Sequence, residues 1–164
     1  MALKEELMKF FEGEENRRIV ILGIGSPIRS DDAVGLEIIR YLKNKGIKNV
    51  LLIAADTNPE SFTGPIRRFN PTHVLMVDAA YMGLEPGAAK LIPIELIRGQ
   101  WFTTHHLPLS ELAAFIKGTM NAKVALLGIQ PKSISVGPDL TLELKNSIER
   151  VSSIIYESIY EIEG

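Results

Sequence analysis

Ile19-Val20-Ile21-Leu22-Gly23-Ile24-Gly25-Ser26-Pro27-Ile28-Arg29-Ser30-Asp31-Asp32-Ala33-Val34-Gly35 is the stretch whose reading decides the fold. Its first four residues form a short, continuous apolar run rich in β-branched side chains, as in a strand covered on both faces. Beyond the loop, Val34, Ile38, Tyr41 and Leu42 recur at helical spacing, with Leu36 and Ile39 beside that stripe. The segment is therefore strand, loop, helix. Gly23 and Gly25 permit a close backbone approach, and Asp31 or Asp32 is placed to cap the helix through its free N–H groups. Two adjacent carboxylates at such a join stand where α/β proteins hold their ligands.

Outward from this unit, further strands are expected at 50–54, 73–78 and 124–129, with a weaker candidate at 88–93. Helices are expected at 2–12, 32–45, 59–68, 108–120 and 140–162. The last is the clearest: Leu140, Leu144, Ile148, Val151, Ile155, Ile159 and Ile162 advance by threes and fours against a polar face of mixed charge. This alternation predicts one α/β domain over residues 1–164, a three-layer arrangement in which a mostly parallel twisted sheet of about five strands carries helices on both faces. Residues 1–16 form a helical extension whose place in the fold the sequence leaves open. Gly83-Leu84-Glu85-Pro86-Gly87 has the composition of a turn.

Composition excludes several functions. The 164 residues are 46% hydrophobic and 23% charged, with a net charge of −2, enough for a full core and without the basic stripe that binds nucleic acid. There is no cysteine, hence no disulfide, thiolate nucleophile or thiolate metal ligand in the chain. The N-terminal segment lacks the apolar centre of a secretory signal, and no segment approaches a membrane span. A cytoplasmic monomer that engages neither membrane nor nucleic acid is the expectation.

In an open parallel sheet the carboxyl ends of the strands face the ligand crevice. Asp31 and Asp32 belong there, as do Asp56 after the second strand and Asp78 at the expected end of the third. Thr103-Thr104-His105-His106-Leu107-Pro108 follows in a loop. Oxygen and imidazole ligands from separate loops, with positions left open, suit a borderline divalent metal such as zinc or nickel. His73 opens a strand and is expected to be solvated. Neither a His-Glu-x-x-His helix nor a Gly-x-Ser-x-Gly elbow is present. A Rossmann-like nucleotide site is the competing reading of Gly23-Ile24-Gly25, with Asp56 as ribose-binding acid. It lacks the third glycine, has Ile28 there instead, and places Asp32 where a pyrophosphate would sit.

Four blocks, Gly23 to Asp32, Val77 to Gly87, Thr103 to Leu109 and Leu127 to Pro131, together resemble the hydrogenase maturation proteases. The similarity is greatest to the branch that processes the large subunit of the formate-hydrogenlyase type of nickel-iron hydrogenase. It departs from the usual pattern at Ser26, where Asn is usual, and Ala33, where Gly is common. The resemblance implies a nickel-dependent endopeptidase that removes a C-terminal extension from the large-subunit precursor after nickel insertion. It implies a metal-contacting trio of Asp32, Asp78 and His105, with Asp32 and Asp78 as catalytic carboxylates and the nickel supplied by the substrate rather than held tightly by this chain. Gly25, Ser26, Asp31, Asp56 and His106 would line the path of the substrate, Asp31 being also the structural acid of its pair. A non-catalytic checkpoint or chaperone for the nickel-loaded precursor is a second reading, and the nucleotide-binding module a third.

Overall fold

The computed structural model describes residues 2–96, 102–103 and 109–163. Helix α1 (Leu3–Phe11) leads into β1 (Ile19–Gly23), and a 3₁₀ turn (Ser30–Ala33) leads into α2 (Val34–Lys45). Then come β2 (Val50–Ala54), a second 3₁₀ turn (Pro59–Phe62), α3 (Thr63–Phe69) and β3 (His73–Tyr81). The chain continues through β4 (Ala89–Pro93), a short 3₁₀ turn (Ile94–Leu96), β5 (Phe102–Thr103), α4 (Leu109–Met120), β6 (Lys123–Ile129) and α5 (Leu142–Glu163).

The strands lie in the order β2-β1-β3-β6-β4. The first four run parallel, β4 is antiparallel at one edge, and the two-residue β5 pairs antiparallel with the end of β3. Every residue of β1 is buried, as its unbroken apolar run predicts for a strand with neighbours on both sides and helices on both faces. One face packs Val20, Leu22, Val74, Met76 and Leu126 against Ile66 of α3 and Leu112 and Ile116 of α4. The other packs Ile19, Ile21, Leu75, Val77 and Leu127 against α1, α2 and α5. The three-layer α/β domain read from the sequence is the fold observed.

The N-terminal extension acquires a place. Leu7 and Phe11 of α1 are fully buried in the cluster shared with α2 and α5, and Lys4 reaches Glu161 of α5 at 2.7 Å. The Phe10 and Phe11 rings stand edge-on to His73. This corrects the expectation that His73 is solvated: its ring is fully buried, with Nδ1 2.8 Å from the Thr72 hydroxyl. A strand-opening residue is solvated only if nothing covers the amino end of the sheet, and here α1 covers it.

Close packing of α2 on the sheet explains the glycines. A Cβ on Gly23 would stand 2.4 Å from the Ile39 side chain, and one on Gly35 would stand 2.4 Å from the Val77 carbonyl. Such separations admit hydrogen only, so the start of α2 sits directly on β1 and β3 and brings the acidic turn before it to the carboxyl end of the sheet. Among the described residues no helix is long and apolar enough to cross a membrane.

Candidate active site

The loop after β1 spends its own donors. The N–H of Ile24 donates to the Val77 carbonyl at 2.9 Å and that of Gly25 to the Asp56 carbonyl at 2.8 Å. The N–H of Ser26 donates to Asp32 Oδ2 at 2.9 Å. Three successive amides are thus committed, and a Cβ on Gly25 would lie 2.0 Å from the Asp32 carbonyl. A phosphate cradle needs converging amides left open to a ligand, so the nucleotide reading has no physical basis here. Gly25 serves the return of the chain onto itself, and the bond from Ser26 uses its backbone.

The two aspartates divide. Both lie in the 3₁₀ turn, and neither caps α2, whose start carries no side-chain cap bond. Asp31 is fully buried. Its Oδ2 accepts from the N–H of Lys132 at 2.8 Å and of Ser133 at 3.0 Å, and its Oδ1 accepts from the N–H of Thr141 at 2.7 Å. The Thr141 hydroxyl lies 2.9 Å from both oxygens. The carboxylate is consumed in holding the 131–141 loop and the approach to α5, the work of the structural acid of the pair.

Asp32 is 3% exposed, its backbone N–H bonded to the Arg29 carbonyl at 3.0 Å and its carboxylate directed to the loop after β1. Asp78 is fully buried. It stands inside β3 rather than at its end, because the strand continues to Tyr81. The pairing with β1 nevertheless stops one residue earlier, at Gly23 with Val77, while pairing with β6 carries on through Asp78 and Gly128. Asp78 therefore sits where β3 loses one neighbour and the acidic turn comes against it. Two buried acids, from elements 46 positions apart in sequence, share one end of the sheet. His105 and His106 lie outside the described residues, and among the described residues no three metal-binding side chains converge.

Residues that the sequence reading did not assign complete the rim. Tyr81, 41% exposed, has its phenol pKa raised by partial burial and by the negative charge of Asp32, with Arg29 opposing. Arg29 is held by its Nε, which donates to the Ile134 carbonyl at 3.1 Å, and its backbone bridges Gly137. Gln130, buried after β6, accepts from the N–H of Met82 at 2.7 Å and of Leu84 at 3.3 Å and so shapes the 82–87 turn. Ile28, Leu84 and Val136 stand exposed on the three loops thus tied together. Asp56, exposed at the end of β2, contributes its carbonyl to Gly25. Gln130 and Tyr81 fall inside recognisable blocks and could have been singled out; Thr141, 110 positions from Asp31, carries no local signal.

An open, mostly parallel sheet with two buried acids at its carboxyl end and no phosphate cradle is an α/β domain with an acid-lined site rather than a dinucleotide binder. The profile of the hydrogenase maturation proteases matches residues 33–158, and the chain belongs to that family. It is 36% identical over 154 residues to a putative hydrogenase maturation protease from Methanocaldococcus jannaschii, covering 89% of this chain and 90% of that protein. To the hydrogenase 3 maturation protease of Escherichia coli K12 it is 32% identical over 133 residues, covering 80% and 85%. The crystal structure of a [NiFe] hydrogenase maturation protease from Thermococcus kodakarensis superposes with a TM-score of 0.85 at 33% identity, covering 94% of this chain and 99% of that one. The protein is accordingly a peptidase.

Proposed function

We propose that this peptidase removes the C-terminal extension from a nickel-iron hydrogenase large-subunit precursor once nickel is in place. Asp32, Asp78 and His105 complete the coordination of nickel that the substrate brings. The observation that carries the reading is the placement of Asp32 and Asp78, two buried carboxylates from separate elements, at one end of the sheet, in a chain whose relatives are named for this maturation step. A chain without cysteine has no thiolate with which to extract nickel from substrate thiolates, and oxygen and imidazole ligands suit a contact that checks the metal without removing it.

The nearby peptide bond is attacked by water. A carboxylate of the pair takes the proton of that water as the oxygen adds to the scissile carbonyl, and the proton is then returned to the departing amine. Nickel seated on the trio fixes the register of the substrate, so that the bond is cut at one place and only when metal is present. The protein works in the cytoplasm, where the precursor is made, and as a monomer.

Incubation with nickel-loaded precursor, followed by intact-mass measurement, is the test. Loss of one defined C-terminal peptide is expected, and precursor without nickel should remain whole. Asp32→Asn and His105→Ala should each slow cleavage about a thousandfold. A stable complex with no loss of mass would replace the protease by a non-catalytic checkpoint, and equal cleavage of nickel-free precursor would overturn the metal check.

A further inference from the structure

A groove of about 600 Å³ begins where the acidic turn ends. One wall is a stripe made by Ala33, at the end of the 3₁₀ turn, and by Leu36, Arg40 and Lys43 of α2, at steps of three or four; Pro27, Asp56 and Leu140 stand on the other sides. From Ala33 to Lys43 the helix rises about 15 Å, at roughly 1.5 Å per residue. An extended peptide at about 3.3 Å per residue places four or five residues in that length. The near end is one position from Asp32 and leads away from β3, where Asp78 lies.

The charged residues lining this groove are Asp56, beside the loop it ties to Gly25, and Glu37, Arg40 and Lys43 along α2, with the two cations towards the far end. Glu37 pairs with Arg40 at 3.2 Å, and no ion pair involves Lys43 among the described residues. A groove of about 600 Å³ holds a short peptide segment, not a folded body. The segment that a processing peptidase removes must be extended to offer its peptide bond, and it always carries at least one carboxylate, its own terminus.

We propose that this groove receives the departing C-terminal segment of the precursor, four or five residues in extended form, with a carboxylate of that segment meeting Arg40 and Lys43. The assignment rests on the proteolytic function above and names the part of the substrate that α2 reads. The retained body of the precursor stays over Asp32 and Asp78, on the side of the rim formed by Tyr81 and Leu84.

The test combines charge reversal in the enzyme with truncation of the substrate. Arg40→Glu with Lys43→Glu changes two exposed side chains and gives up the Glu37 pair, so the melting temperature should fall by a few degrees at most. KM for nickel-loaded precursor should rise about tenfold with kcat unchanged. Shortening the extension to fewer than four residues should raise KM for the wild type by a similar factor and have little further effect on the double variant, since both changes remove the same contact. An unchanged KM in the double variant overturns the proposal. A full further loss on truncation also overturns it, and assigns the two cations to the retained body. A change in sedimentation on charge reversal would give the groove to a second copy of the chain instead. A wild type that leaves the precursor whole overturns the proteolytic function itself, an outcome distinct from a wild type that cuts while the variants match it.

Discussion

The two ends of the sheet bury titratable groups by opposite means. At the carboxyl end Asp31 is surrounded by donors from the 131–141 loop, and Asp32 takes the Ser26 amide. At the amino end His73 lies among the rings of Phe10 and Phe11 with a single hydroxyl partner. Backbone donors meet the carboxylate oxygens at the end where substrate is expected, whereas at the other end, where α1 closes the fold, desolvation drives the imidazole towards its neutral form.

Three changes break or sharpen that contrast. The largest effect on stability is expected at the amino end: Phe11→Ala should cost about 3–4 kcal/mol by emptying a fully buried ring site. In a thermal melt this appears as a lowered Tm, while cleavage measured well below the transition should be unchanged, because the site lies at the far end of the strands. Asp31→Ala should cost somewhat less, about 2–3 kcal/mol, by leaving buried amides of the 131–141 loop without an acceptor. Unlike the first change it should also reduce cleavage at low temperature, since the loop it frees carries the Arg29 contact; denaturant unfolding and intact-mass kinetics on one sample separate the two losses.

The smallest effect is a dependence on pH. Burial, helped by the charges of Lys123 and Arg17 and opposed by Glu14 and the Glu12 carbonyl, lowers the His73 pKa below 6.5. With the folded value depressed, the unfolded chain binds the proton more readily. The stabilisation is therefore complete above about pH 6.5 and is lost as pH falls from there towards the folded value. His73→Phe should flatten the stability profile between pH 6.5 and 5 by about 1 kcal/mol relative to wild type. A wild-type profile already flat in that window would show that the ring is not held neutral.

Most of the framework was legible because it is local. The runs at 19–22, 50–54 and 124–129 announce strands by composition, and α5 announces itself by the spacing from Leu144 to Ile159. The errors lie where distant segments meet. His73 looked solvated because nothing in its neighbourhood says that Phe10 and Phe11, more than sixty positions earlier, will cover it. Asp78 looked like a strand terminus because composition changes after it, yet pairing with β5 extends β3 to Tyr81. At the candidate site, the placement of Asp32 and Asp78 at one end followed from the parallel-sheet rule. The partners of Asp31 did not, because bonds from a carboxylate to backbone amides 101 to 110 positions away leave no imprint on residue type.

The bonding of Asp31 bears on how a mutational scan of this molecule would be scored. Replacing either acid of the adjacent pair would reduce product, and an activity screen alone would enter both as members of the reacting centre. Thr141→Val is the discriminating control: it removes the hydroxyl that touches Asp31 while standing 109 positions from Asp32 in the chain. A partial defect there that tracks the loss of stability marks a group that acts by holding the 131–141 loop, while the defect of Asp32 variants would be larger and independent of stability.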